Sequence, residues 1–299
     1  MTSGPSPRDG AIIAVDWGTT NRRAYRIEAD GSIGDQLRDD RGVLAMTAAD
    51  YPPALAALRD RLGELPVIAA GMIGSTRGWY EAPYVPAPAD LHALAVAALR
   101  IDAAGLTIVP GVSLLTDTRA DVMRGEELQV LGAIAAGLAP ADALFCQPGT
   151  HNKWIATDGA RIVDVATVMT GELFALLKGH GILAGMLDGP VADGAPFREG
   201  IARAAGACDL GTALFEVRAS VLLGRRTLDD AAAYASGVLI GSDVGARALD
   251  GRTVHLLAEG ALADLYKVAI EARGGITVPV DATAAFLGGV HHLRHHLSE

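Results

Sequence analysis

Two stretches of this chain, half its length apart, can be laid over each other. Gly18-Thr19-Thr20-Asn21-Arg22 matches Gly149-Thr150-His151-Asn152-Lys153, and each string follows one extended apolar run and precedes another. A repeat this long is no solenoid; it reads as one duplicated unit. Whatever fold the first half adopts, the second must be able to adopt as well. In the first copy an apolar run ends in Asp16, Gly18 and two hydroxyl residues follow, and Arg23-Ala24-Tyr25-Arg26-Ile27 is extended again. That is a β-hairpin with a tight turn carrying an acid, bare backbone and hydroxyls.

The order along the first half reads β-β-β-α-β-α-β-α. After the hairpin come a strand at 32–38, a helix at 52–62, a strand at 67–70, a helix at 89–104 and a strand at 106–110. Asp121 then reads as the N-cap of a helix reaching about Gly137. The second half begins in the same way, with a strand at 143–147 and a hairpin around Asp158-Gly159. Helices are predicted at 171–178, 197–205, 213–223, 228–249 and 262–272, strands at 254–258 and 276–280, and a last helix after Asp281. The expected organisation is a polar tail over 1–10, one domain over 11–142 and a second over 143–299.

Half of the 299 residues are hydrophobic and few are aromatic, which suits helices packed on parallel or mixed sheets, an α/β protein. The formal charge of −10 argues against nucleic acid or an anionic membrane as partner. Cys146 and Cys208 form no metal pattern and no disulfide framework, so a cytoplasmic location is expected. The first ten residues read as neither signal peptide nor anchor, and no apolar run approaches membrane-spanning length. His291, His292, His295 and His296 have spacing that two metal ligands could use, but with no acidic or thiol partner nearby they read as a solvated helix end.

Glycine lets a backbone approach a ligand, and turn amides with hydroxyls can cradle phosphate oxygens. Gly18, Thr19, Thr20 and Asn21 form one candidate cradle and Gly149, Thr150 and His151 the other, with Lys153 and Arg22 as cations. Asp16 is placed to hold Mg²⁺, which prefers oxygen ligands. Such a pair suits phosphoryl transfer, which needs positioning, charge neutralisation and a base. Neither a P-loop string nor the protein-kinase signature set is present. Asp117 is the first candidate base and Asp121 the second, with Glu126 as an alternative. Glu259-Gly260-Ala261 could let adenosine lie against a helix N-terminus, and Thr170-Gly171-Glu172 could cap a helix or reach substrate hydroxyls.

Several strings together resemble the 2-dehydro-3-deoxygalactonokinase family. They are Ile13 to Arg22; Gly71-Met72-Ile73-Gly74-Ser75 with Gly78-Trp79 and Ala82-Pro83-Tyr84; and Val122-Met123-Arg124-Gly125-Glu126-Glu127. The others are Pro148 to Trp154, Val168-Met169-Thr170-Gly171-Glu172-Leu173 and Leu214-Phe215-Glu216-Val217-Arg218-Ala219-Ser220. The resemblance implies the sugar-kinase branch of the actin-like ATPases: two ribonuclease-H-like domains of actin/hexokinase type with an interdomain nucleotide cleft. It implies ATP with Mg²⁺ as cofactors and phosphorylation of the 6-hydroxyl of 2-dehydro-3-deoxy-D-galactonate. The first phosphate turn carries over to Asp16, Gly18 and Thr19, the second to Gly149 and Thr150, and the adenosine turn to Gly260. Gln147 stands where the second turn often has an Asp, and the usual Asn-Asp pair of the base is absent as such.

A sugar-acid substrate carries a carboxylate, so the pocket should supply a cation or a set of amides. Arg124, Arg198 and the backbone of Gly71, Met72, Ile73 and Gly74 are candidates, with Glu172 for hydroxyls. Trp79 and Tyr84 could close the pocket or simply pack their loop on its own domain. A kinase for another small sugar acid and a non-catalytic nucleotide-dependent switch are the competing readings. A homodimer is compatible with the chain.

Overall fold

The computed structural model describes residues 10–205 and 209–297. Residues 1–9 of the expected tail, and Cys208, lie outside them. The first half contains β1 (Ile12–Trp17), β2 (Arg22–Ile27), β3 (Ile33–Asp39), α1 (Tyr51–Leu62), β4 (Val67–Gly71), β5 (Tyr84–Pro86), α2 (Leu91–Val96), β6 (Leu99–Ile101), β7 (Leu106–Ile108), β8 (Gly111–Leu115), β9 (Ala120–Met123) and α3 (Glu126–Ala135). Six strands form one sheet in the order β3-β2-β1-β4-β7-β6, and β5, β8 and β9 form a second, smaller one. β1 is central because Ile12, Ile13, Ala14, Val15 and Trp17 are apolar toward both faces, and all five are buried. It pairs antiparallel with β2 and parallel with β4, which sets Trp17 opposite both Arg22 and Gly71. Leu55, Leu58 and Leu62 of α1 join Val15, Val67 and Ile108 in the core, each buried leucine contributing about 1.5–3 kcal/mol.

The second half contains β10 (Leu144–Gln147), β11 (Asn152–Asp158), β12 (Arg161–Val168), α4 (Thr170–Gly179), α5 (Ala195–Ala205), α6 (Leu210–Leu222), α7 (Leu228–Gly245), β13 (Thr253–Leu256), α8 (Gly260–Ala272), β14 (Ile276–Pro279) and α9 (Ala282–Arg294). Its sheet runs β12-β11-β10-β13-β14. That is the same order as β3-β2-β1-β4-β7, so the second half duplicates the first as the repeated turn predicted, in the ribonuclease-H-like arrangement that the family resemblance implied. Among the described residues no helix is long and apolar enough to cross a membrane.

The chain divides into two compact units. Among the described residues the first takes in 10–142, 155–165 and 282–297, and the second the remainder. α9, which the sequence assigned with the C-terminal half, therefore belongs to unit 1. The reason is an interlock with α3. A methyl on Gly132 would run into the carbonyl oxygen of Ala285, and one on Gly289 into that of Leu128. In unit 2, α5 and α7 approach in the same way through Gly200 and Gly237.

Two predicted helices are corrected. The alanine-rich stretch 89–104 forms only the short α2, N-capped by Asp90, and then β6, because Leu99–Ile101 pairs antiparallel with β7. The predicted helix from Asp121 begins instead at Glu126. Asp121 lies in β9 opposite Leu114 of β8, and Thr116–Arg119 is the turn between them, with Thr116 N–H bonded to Arg119 O at 2.8 Å. The aliphatic residues at 112, 114, 122 and 123 make a hairpin there, and pairing overrides the local capping signal.

Candidate active site

In unit 1 the hairpin turn after β1 is closed by Gly18 N–H to Asn21 O at 2.9 Å. The carbonyls of Gly18, Thr19 and Thr20 accept from the amides of Val43, Leu44 and Gly42 at 3.1, 3.1 and 3.2 Å. The turn is thus braced from one side, while Thr19, Thr20 and Asn21 are exposed, with Asn21 Nδ2 donating to Thr20 Oγ1 at 2.9 Å. Arg22, a candidate cation for the site, is instead buried. Its guanidinium forks onto Asp39 at 2.5 and 3.2 Å and lies over the Trp17 ring, which ties β2 to β3. Asp16 is partly buried. Burial pushes its carboxyl up, Arg23 opposes this, and the nearby charge of Glu126 adds to it. Two carboxylates in mutual electrostatic reach supply hard oxygens of the kind Mg²⁺ takes. Among the described residues no group of three or more His, Cys, Asp or Glu could hold a metal, so a cation here would complete its shell with water and phosphate oxygens.

β4 ends at Gly71 with φ 95°, where a methyl would lie 2.7 Å from Trp17 O. Across from it, Gly125 (φ 109°) is the N-cap of α3, and a methyl there would touch Gly71 Cα at 3.1 Å. This glycine contact brings the start of α3 onto the loop that begins Gly71-Met72-Ile73-Gly74. Arg124, just before it, is buried, with Nη2 donating to Ala82 O at 2.8 Å and the guanidinium 4.3 Å over the Tyr84 ring. Its Nε and Nη1 are buried without a hydrogen-bond partner. Glu126 accepts from the Arg124 amide at 3.1 Å. Glu127 is fully buried and takes the Gly125 amide on both carboxylate oxygens at 2.8 and 2.7 Å. Burial first, then the charge of Glu126, pushes its carboxyl up to about 8. Trp79 stacks on Tyr51 with ring centroids 5.4 Å apart and an interplanar angle of 5°, so it packs its loop onto the core of unit 1.

In unit 2 the turn at Gly149–His151 is clamped by the start of α4. Glu172 N–H donates to Thr150 O at 2.9 Å, and a methyl on Gly171 would lie 2.6 Å from Gly149 O. Glu172, expected at substrate hydroxyls, takes up His151 Nε2 at 2.6 Å. Lys153 is buried at the start of β11, and its ammonium makes no ion pair among the described residues. Beneath the turn lies a residue that the sequence reading missed. Asp243 of α7, buried, accepts from Asn152 Nδ2, Trp154 Nε1, Thr170 Oγ1 and Tyr266 OH at 2.8, 2.8, 2.9 and 2.8 Å. One carboxylate therefore joins the strand after the turn, the helix clamping it, and α8. The signal was a lone charge within the apolar run after Tyr234.

A cleft of about 190 Å³ adjoins this turn, lined by Gly149, Thr170, Phe174, Leu239, Leu262 and Tyr266 among others. Gly260 opens α8 with φ 69°, and nothing lies within 4 Å of where a side chain would start. The other predicted residues fall elsewhere. Asp117 is exposed at the tip of the β8–β9 hairpin. Asp121 accepts from the Val122 amide at 2.8 Å. Arg198 is exposed on α5, with its fork already filled by Asp193 at 2.8 and 2.8 Å.

Duplicated ribonuclease-H-like units, each with a glycine-threonine turn beside its central strand, define the actin/hexokinase-type α/β kinase fold. The family model described as 2-keto-3-deoxy-galactonokinase matches residues 16–293, and the chain belongs to that family. It is an enzyme, a phosphotransferase with an alcohol group as acceptor. The 2-dehydro-3-deoxygalactonokinase of Escherichia coli (strain K12) is 34% identical over 288 residues, 95% of this chain and 97% of that one. A Rhizobium meliloti (strain 1021) protein named as a probable 2-dehydro-3-deoxygalactonokinase is 36% identical over 295 residues, 94% of this chain and 95% of that one. A crystal structure from Sinorhizobium meliloti, assigned provisionally to the same activity, superposes with a TM-score of 0.84 at 34% identity, covering 94% of this chain and 97% of that one. Component A of an Acidaminococcus fermentans (R)-2-hydroxyglutaryl-CoA dehydratase, 12% identical with a TM-score of 0.53 over 97% of this chain and 100% of that one, shares the fold.

Proposed function

We propose that this chain transfers the γ-phosphoryl group of ATP to the 6-hydroxyl of 2-dehydro-3-deoxy-D-galactonate. The observation that carries the reading is the match of residues 16–293 to the family, with curated relatives of that activity along nearly the whole chain. In this reading the amides and hydroxyls of Gly18, Thr19, Thr20 and Asn21, and those of Gly149, Thr150 and His151 with Lys153, take the phosphates. Gly260 and the adjoining apolar cleft take the adenosine, and Asp16 the Mg²⁺. Bound there, Mg²⁺ neutralises charge on the phosphate oxygens.

The substrate carboxylate is assigned to Arg124, supported by two buried N–H groups with no acceptor, whereas Arg198 already has Asp193. The amides of Gly71, Met72, Ile73 and Gly74 complete that pocket beside Tyr84, and Trp79 fixes the loop. The base is assigned to Glu126. It lies in the first turn of α3 within electrostatic reach of Asp16, while Asp117 and Asp121 belong to a hairpin. Glu126 holds the proton of the attacking hydroxyl as the phosphoryl group moves, a step that needs more positioning than basicity. The test is ADP release with ATP, Mg²⁺ and a panel of sugar acids. Turnover highest with 2-dehydro-3-deoxygalactonate is expected. Preference for another sugar acid would replace the substrate, and no turnover with any would overturn the reading.

A further inference from the structure

The string Leu214 to Ser220 has no part in the reaction above. It lies on α6, along a cleft of about 630 Å³ between α5, α6 and α7 that is lined by Arg203, Glu216, Ser220, Arg225, Arg226 and Tyr234 among others. Arg203 and Glu216 form a fork at 2.7 and 2.7 Å across it. Arg226 has a side chain only 7% exposed. It meets Glu199 through Nη2 at 2.9 Å and lies 3.8 Å over the Tyr234 ring. Its Nε is buried with no acceptor. Arg225 is exposed, and its guanidinium makes no hydrogen bond or ion pair among the described residues, although its charge is felt at Glu216 and Tyr234. Glu199 and Glu216 are both taken by other arginines, which leaves Arg225 as an excess positive charge beside an unfilled donor. A stacked, desolvated guanidinium with a free N–H is how proteins hold an oxyanion. The cleft shares no lining residue with the apolar cleft at Gly149.

We propose that this cleft binds a small metabolite through an oxyanion, phosphate ester or carboxylate, on Arg226 Nε and the Arg225 guanidinium. The site goes beyond the kinase reaction and does not rest on it. α7 carries both Tyr234 in this cleft and Asp243 beneath the second turn, so occupancy here bears on the helix that supports that turn.

The test is calorimetric titration of the full chain, saturated with a non-hydrolysable ATP analogue and Mg²⁺, with inorganic phosphate, glucose 6-phosphate and gluconate. Saturable binding of at least one is expected, weakened at least about tenfold in R225Q and R226Q. R225Q, at an exposed side chain, should keep the wild-type kcat at saturating substrates, and it decides the matter should R226Q not fold. A response to the phosphates alone assigns a phosphate ester, and one to gluconate alone assigns a carboxylate. No saturable binding by the wild type, or equal binding by R225Q, overturns the proposal.

Discussion

The phenol of Tyr266 on α8 donates to the carboxylate of Asp243 on α7 at 2.8 Å, and the same carboxylate takes Asn152, three residues beyond Gly149. The second turn is therefore held from beneath by a buried charge with four donors around it, not by its own residues alone. The hydroxyl is kept protonated, since burial and the Asp243 charge both push its pKa up.

D243N places an amide N–H among donors, and the expected loss of folding free energy is about 3 kcal/mol. Y266F removes one bond to a charged acceptor and should cost ~1.5–3 kcal/mol. Urea unfolding reads both. The KM for ATP should rise at least about tenfold in D243N, while the KM for the sugar acid changes little. A D243N protein with wild-type stability and ATP affinity would remove Asp243 from its supporting role.

E126Q should lower kcat by about 10²–10⁴ while ATP still binds, and D117N should stay within a few-fold of wild type. Steady-state kinetics with a separate nucleotide-binding measurement checks this. The reverse ranking would return the base to the hairpin.

R124K keeps the charge but loses the planar fork. The KM for the sugar acid should rise roughly ten- to a hundredfold, with the KM for ATP unchanged. An equal rise in both would mean that Arg124 merely supports the loop at Ala82 and Tyr84.

Glu127 gives a pH dependence of known sign. Burial and the Glu126 charge push its carboxyl up to about 8 in the folded chain, from an ordinary 4.5. The folded state therefore binds the proton more tightly than the unfolded one. The stability this contributes is fully present below about pH 4.5 and is lost as the pH rises to about 8. E127Q should lack this slope, so its stability relative to wild type grows by several kcal/mol between pH 5 and 8. Parallel stability profiles for the two proteins would contradict the assignment.

Much of this arrangement was legible because it is written locally. The twin turns announce themselves as Gly-Thr after an apolar strand, and the second sheet repeats the strand order of the first. What was not legible depends on partners remote in sequence. Asp121 looks like a helix cap until Leu114 is set opposite it in the hairpin. Leu99–Ile101 reads as the end of an alanine-rich helix until β7 offers it an edge. Glu172 looked free to meet a ligand, and only the folded chain brings it to His151. Asp243 could be assigned no role until its four donors were in place, and they come from β11, α4 and α8.

The glycine interlock of α3 with α9 bears on how the chain is made. Unit 1 begins to form when β1 and β2 leave the ribosome, yet the face of α3 that receives α9 stays bare until α9 itself emerges. Residues 143–154 and 166–281 of unit 2, by contrast, all precede α9 in the chain. A nascent chain stalled before Ala282 should thus protect α7 and α8 from protease while leaving α3 open to cleavage.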